Sequence, residues 1–430
     1  MKTFLLKILS KFKTLIAILI IILICILAVH FNFFQIKTKI YESYPNLFLR
    51  NFLFKGSSVK NNVLNDYNVR FLPYSQFFKL NLEKKKLIFD KKYYNPQSQN
   101  KSTAYSTWGS FYLENYKDKL VITDYNGSIY YHDKLNEIIN STTNKFKLKK
   151  IKNNLDPIRV YDTFFHENKL YISYTTKNDG CKRINISVAD FNLRFLKFNN
   201  FFNPVDCNNV GGIGRMQFFV HQNEPGILVT TMEGMYDKPG VNSQNDKSIF
   251  GKIIFVNLKN LRYYNFSKGH RVAQGLYANK DLIIASEHGP RGGDEINKII
   301  YKGNYGWPIA SYGERYDFKY EKKPNYKKDH ASFGFEEPIY ASPHGLGISE
   351  ILILKENFSN FFKKDILAIS TLGAKSIFFA NLDKKFSRII SLEKIFLNER
   401  IRDLKYHSNT NSLLLAFEEN GELGILSSEN

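Results

Sequence analysis

Cysteine is scarce in this chain, with three in 430 residues. Cys25 lies inside an apolar run, so Cys181 and Cys207 allow at most one disulfide. Those two occupy turn-like segments, KNDGCKR and PVDCNN; they bridge in an oxidising compartment or stand as two separate thiols, and sequence alone does not decide. Acidic residues are also few, 40 against 61 Lys plus Arg, for a formal net charge of +21. Such an excess raises nucleic acid or an anionic membrane as a partner. The lysines, however, are scattered among Asn, Ile, Phe and Tyr, and no nucleic-acid module accompanies them, so the reading is a solvated basic surface with no specific nucleic-acid partner. Helical periodicity is missing beyond the first third of the first hundred residues, which excludes a helical fold. A fixed-period repeat is missing too, so periodicity by itself selects no repeat architecture.

What is present begins at the N-terminus. Lys2, Lys7, Lys11 and Lys13 precede an apolar run from Leu15 to Val29, extended by Phe31, Phe33 and Phe34. A spanning helix needs about twenty mostly apolar residues, and its basic flank stays inside the cell. A cleaved signal peptide is the competing reading, but no pair of small residues follows Leu27 at cleavage spacing. The expectation is therefore a transmembrane signal-anchor over 1–34, a stalk over 35–70, and a domain over 71–430 on the extracytoplasmic, periplasmic side.

Within that domain short strand candidates recur: LVITDYNGSIYY, KLYISYT, GILVTTME, KIIFVNL, DLIIAS, DILAIST, SIFFANL and LLLAFEENGELGIL. The 27 Tyr and 37 Phe suit strands. Asn126-Gly127 and Asn420-Gly421 predict two-residue hairpins. Many short strands joined by hairpins give an all-β sandwich, barrel or propeller.

The densest stretch is SEHGPRGGDEIN, Ser286 to Asn297, followed by GNYGWP from Gly303. Glycines let backbone carbonyls or amides converge on one ion, and the neighbouring carboxylates add the charge that a hard cation such as calcium requires. Read alone, the segment is equally a charged surface turn.

This run resembles the signature of the glucose and sorbosone dehydrogenase family, and so do GHRVAQGLY from Gly269 and ERIRDLKY from Glu399. Weaker echoes, HENKLYISYT, GGIGRMQFF and QNDKSIFGKIIFVNL, stand in the family's order across roughly residues 100 to 426. The resemblance implies a six-bladed β-propeller that binds pyrroloquinoline quinone (PQQ) and Ca2+ and oxidises an aldose at its anomeric carbon, passing electrons to a membrane quinone or cytochrome acceptor. It implies roles for particular residues. The carbonyls of Gly289 and Pro290 hold the cofactor's calcium, and Asp294, Glu295 and Tyr305 surround additional calcium positions. Arg400 and Arg402 bind the tricarboxylated cofactor, for which arginine forks are well shaped. Arg271 and Gln274 lie beside cofactor and substrate.

The departures from the family pattern matter as much. Gly211 stands where the catalytic histidine is expected, Val272 replaces an asparagine, and Gly373 replaces a cofactor-contacting lysine. The sugar-holding Gly-Gln-Gly-Gly segment is unrecognisable near NNLDPIRVYD. A glycine abstracts no proton, and losing a positioned base costs roughly 10² to 10⁴ in rate. His344, in SPHGLGIS, is the replacement base that the sequence suggests; His270 and His288 read as packing or orienting groups. Two functions therefore stay open: an anchored dehydrogenase with an altered site, or a redox-inactive propeller that keeps the calcium loop as scaffold and binds a carbohydrate or protein partner.

Overall fold

A computed structural model describes residues 70–72, 80–89, 109–178, 180–208, 212–233, 242–315, 326–355, 358 and 365–428. The expected signal-anchor, the stalk and Gly211 lie outside these residues. Among the described residues no helix is long and apolar enough to cross a membrane.

Six antiparallel sheets form the blades of a β-propeller. Blade 1 begins with Phe111–Tyr116, blade 2 with Arg159–His166, blade 3 with Ile213–His221, blade 4 with Ala273–Ala278, blade 5 with Ile348–Leu354 and blade 6 with Ile401–His407. Each of these first strands packs against the first strand of the next blade, and that of blade 6 packs against that of blade 1, so the ring closes around a central channel. The closing blade is composite. Ile401–His407, Ser412–Phe417 and Glu422–Ser428 are joined by Leu80–Ile88, which pairs Leu80 with Ser428 and Lys86 with Glu422. A short parallel strand, Arg70–Leu72, extends blade 5.

The second strands are buried on both sides, because each blade is sandwiched between two others. Ile366–Thr371 and Ser412–Phe417 are buried at every position, and so is the third strand of blade 3, Lys252–Asn257. Continuous apolar runs are what such positions require, and cores such as Phe255, Leu228, Leu276 and Ala285 fill the space between blades 3 and 4.

Both Asn-Gly hairpins are present, but each loop has four residues instead of two: strands end at Asp124 and restart at Ile129, and end at Phe417 and restart at Glu422. The reason is side-chain competition at the end of one strand and at the first loop residue after the other. Asp124 Oδ1 accepts the amides of Asn126 and Ser128, and Glu418 turns towards two arginines. The glycines still sit at positive φ, 82° at Gly127 and 67° at Gly421. Among the described residues one short α-helix, Leu135–Asn140, buries Leu135, Ile138 and Ile139 beneath blade 1. Cys181 and Cys207 form a disulfide, settling the choice left open by the sequence.

Candidate cofactor and sugar site

The glycine-rich motif leaves blade 4 where strand Ile283–Glu287 ends and returns at Asp294–Lys298. Its compactness needs glycine: a Cβ on Gly292 would lie 2.3 Å from the Pro343 carbonyl oxygen, and one on Gly293 2.1 Å from the Gly313 amide nitrogen. Both glycines also sit at positive φ. Asp294 braces the loop from within. Its Oδ1 accepts the Gly289 amide at 2.9 Å and its Oδ2 the Leu346 amide at 2.8 Å, and burial pushes its pKa up to about 6. The loop of His344 is thereby tied to the loop of Gly289.

Beneath this loop lies a buried acidic group. Glu287 accepts His270 Nδ1 at 3.1 Å, the Arg271 amide, and Asn297 Nδ2 at 3.4 Å. Asn297 Nδ2 also donates to Glu295 at 3.3 Å. Burial and then the Glu287 charge hold the Glu295 carboxyl well above the usual carboxylate range. Asn297 Oδ1 and both ring nitrogens of His330 have no hydrogen-bond partner although Asn297 is fully buried and His330 is 1% exposed. Two buried carboxyl groups thus stand beside an unfilled amide oxygen, while among the described residues no group of three or more His, Cys, Asp or Glu is placed to hold a metal ion. Tyr305 contributes its ring, stacked on His270 at 4.7 Å, while its hydroxyl donates to the Lys298 carbonyl.

The channel side of the loop is cationic. Arg271 donates to the carbonyls of His288 and Gly289 at 2.9 and 2.8 Å and lies 5.2 Å from the Trp307 ring centroid. Arg400, just before the first strand of blade 6, and Arg402, on it, share Glu418. The charges of Arg271, Arg402 and Arg400 all reach His288, and burial together with those charges lowers its pKa to about 3. Its imidazole makes no hydrogen bond among the described residues. Arg402 is only 8% exposed, yet its two terminal nitrogens have no acceptor there. A small pocket, partly open to solvent, is lined by Arg271, Glu287, His288, Gly289, Glu295 and Trp307, among others.

The glucose/sorbosone dehydrogenase family pattern matches residues 106–425. The chain belongs to that family. Aldose sugar dehydrogenase YliI of Escherichia coli is 30% identical over 183 residues, 41% of this chain and 47% of YliI. An uncharacterised Synechocystis protein, slr1608, is 28% identical over 160 residues, 37% of each chain. The chain thus spans less than half the length of these curated relatives. Among solved structures, the soluble aldose sugar dehydrogenase of E. coli superposes with a TM-score of 0.60 at 17% identity, covering 81% of this chain and all of that one. The PQQ-bound aldose sugar dehydrogenase of Streptomyces coelicolor gives 0.55 at 16%, covering 82% and 99%. These likenesses show the shared fold.

For this glucose/sorbosone dehydrogenase family member, the expected residues divide. Arg271, Arg400 and Arg402 all act on His288. Gln274 is half-buried on the first strand of blade 4, and its side-chain amide has no partner among the described residues. Gly289 and Pro290 are buried, and the Gly289 carbonyl receives Arg271. Asp294 commits its oxygens to amides, whereas Glu295 faces the acidic group. His344 is exposed, and its amide and carbonyl both bond Ser342 Oγ. Val272 accepts the His288 amide through its carbonyl, and Gly373 packs on Leu346 and Gly347.

Two features escaped sequence reasoning. One is the unbonded imidazole of His288, hidden inside a motif that reads as scaffold. The other is Arg215, 2% exposed, at the middle of the ring. It donates to Asp162 at 2.8 Å, to Asp403 at 2.9 Å, and to the carbonyls of Gln274 at 3.0 Å and Arg402 at 2.8 Å. It pairs with Glu350 at 2.8 Å and lies 5.1 Å from the Tyr112 ring centroid. With its own strand in blade 3, it therefore touches all six blades. The segment GRMQFF contains it, but a single arginine in an apolar strand gives no sign of partners 53 and 188 residues away.

Proposed function

We propose that this protein is a membrane-anchored, extracytoplasmic aldose dehydrogenase that uses PQQ and calcium. One observation carries the reading. Arg402, 8% exposed, and Arg271 and Arg400 all act on the His288 imidazole, a concentration of guanidinium charge that favours an anionic ligand. A ligand with several carboxylates matches that charge. Calcium suits the buried acids: Glu295 and Glu287, with Asn297 Oδ1, would hold a cation and remove their mutual repulsion.

When bound, PQQ supplies the hydride acceptor that an aldose oxidation requires. The chain's own residues do the rest. Arg400 and Arg402, fixed by Glu418, bind carboxylates as preset forks. Arg271 stacks near Trp307 and holds the 288–289 backbone. The unbonded imidazole of His288 and the free amide of Gln274 offer an acceptor and a donor–acceptor pair to sugar hydroxyls. Arg271 and His288 line one small pocket with Trp307. The acceptor that would reoxidise the bound cofactor is a membrane quinone or cytochrome.

The test is calorimetric titration of the full chain with PQQ in calcium, with Arg400→Ala plus Arg402→Ala as control. Saturable binding abolished by the double variant supports the reading. A second reading, a redox-inactive propeller that binds a glycan or protein, is favoured by Gly211 at the position of the family's histidine. Absence of binding by the folded wild type selects it.

A further inference from the structure

The geometry points to Arg215 as the positioning residue of the site, one guanidinium that sets the strand of Gln274 against the strand of Arg402. This inference rests on the proposed roles of Gln274 and Arg402. Two of the guanidinium's acceptors are the main-chain carbonyls of those residues: Nε donates to Gln274 at 3.0 Å and Nη2 to Arg402 at 2.8 Å. Nη1 is fixed between Asp162 and Asp403. Asp403 immediately follows Arg402, and its other oxygen accepts the Leu113 amide of blade 1 at 2.7 Å. Asp162 likewise takes the Met216 amide at 2.8 Å, which fixes the backbone beside Arg215 itself. The Arg402 carbonyl also receives Ser349 Oγ from blade 5 at 2.7 Å.

A hub of this kind does more than add cohesion. The candidate ligand groups stand on blades 4 and 6, which are not neighbours in the ring, so the wall between them is blade 5. Arg215 reaches across the channel and joins them directly. A shift of either strand by 1 Å would move the Gln274 amide relative to the Arg402 fork, and misplacement on that scale costs on the order of 10²-fold in rate. Lysine keeps the charge but lacks the planar fork that serves five acceptors at once.

The experiment compares wild type, Arg215→Lys and Leu196→Ala in the full chain. Leu196 is fully buried on the short strand Phe195–Leu196 at the outer edge of blade 1, in a core that includes no residue of 272–278 or 400–407, so its truncation lowers stability without touching the hub. Hydrogen exchange over 272–278 and 400–407 is read first, because it needs no ligand. Arg215→Lys is expected to speed exchange in both segments at least tenfold under native conditions and to weaken PQQ binding and lower kcat for an aldose by at least tenfold. Leu196→Ala, of matched melting temperature, is expected to leave both segments and the affinity within about twofold. Unchanged exchange in Arg215→Lys, or equal changes in Leu196→Ala, overturns the inference. If wild type binds no PQQ while the exchange result holds, the functional reading falls and the coupling of the two strands stands.

Discussion

Glu418 holds Arg400 and Arg402 on one carboxylate, Oε1 to the first at 2.9 Å and Oε2 to the second at 2.7 Å. Ser110 Oγ donates to the same Oε2 at 2.9 Å. The side chain is fully buried, so two forks are fixed in place by a group that never meets solvent.

Glu418→Gln should therefore lower stability by about 3 kcal/mol, the scale for breaking a buried pair, and weaken PQQ binding. Burial alone would raise the Glu418 pKa, but Arg402 and Arg400 bring it below its ordinary 4.5. Its stabilising contribution is then present above pH 4.5 and is lost as pH falls through the folded value. The variant should show a smaller drop in melting temperature below pH 4.5 than wild type. Parallel curves would count against the clamp.

The hub should respond to pH in the opposite sense. Burial pushes Glu350 up to about 8 despite Arg215. A carboxyl raised in the folded state stabilises most below its unfolded value and loses that contribution as pH rises through about 8. Between pH 5 and 9, Glu350→Gln should flatten the fall in melting temperature. An identical slope in variant and wild type would remove Glu350 as its source.

His288 and His344 can be separated by kinetics. His288→Ala should lower kcat/KM for an aldose by about tenfold or more, the scale of one hydrogen bond lost in a desolvated site. His344→Ala, at an exposed loop position, should stay within about twofold. The reverse pattern would restore His344 as the functional histidine.

The Cys181–Cys207 bridge closes a segment with a sequence separation of 26. Chain-entropy arithmetic for such a loop gives about 3 kcal/mol. Cys207→Ser should cost that much stability and leave PQQ affinity unchanged. A thiol titration of the unreduced, denatured full chain should find Cys25 alone.

The sequence was legible where physics acts locally. Runs such as KIIFVNL and DILAIST are apolar throughout because blades cover them on both faces, and their strands stand where the runs do. The first strands were harder. Phe111–Tyr116, Arg159–His166 and Ile348–Leu354 carry Glu114, Asp162 and Glu350 into the channel, where buried charge breaks the apolar pattern. These charges are tolerated only because Arg215 and Lys405 meet them from other blades, a relation that no window of sequence contains. The hairpin loops were misjudged by two residues because Asp124 caps amides within its own turn, and Glu418 has partners beyond its turn.

Leu80–Ile88 hydrogen-bonds to Glu422–Ser428. The earlier strand is therefore made long before the strand it needs, with five blades' worth of chain between them. Bringing such distant ends together costs about 5 kcal/mol in loop entropy, which only the finished blade interfaces offset. High contact order of this sort makes folding slow. A chain halted before residue 422 leaves Leu80–Ile88 as an unpaired edge, open to pairing with another copy. The assembly hazard of this molecule sits at that seam, on a blade whose first strand also carries Arg400's neighbours Ile401 and Arg402 into the site.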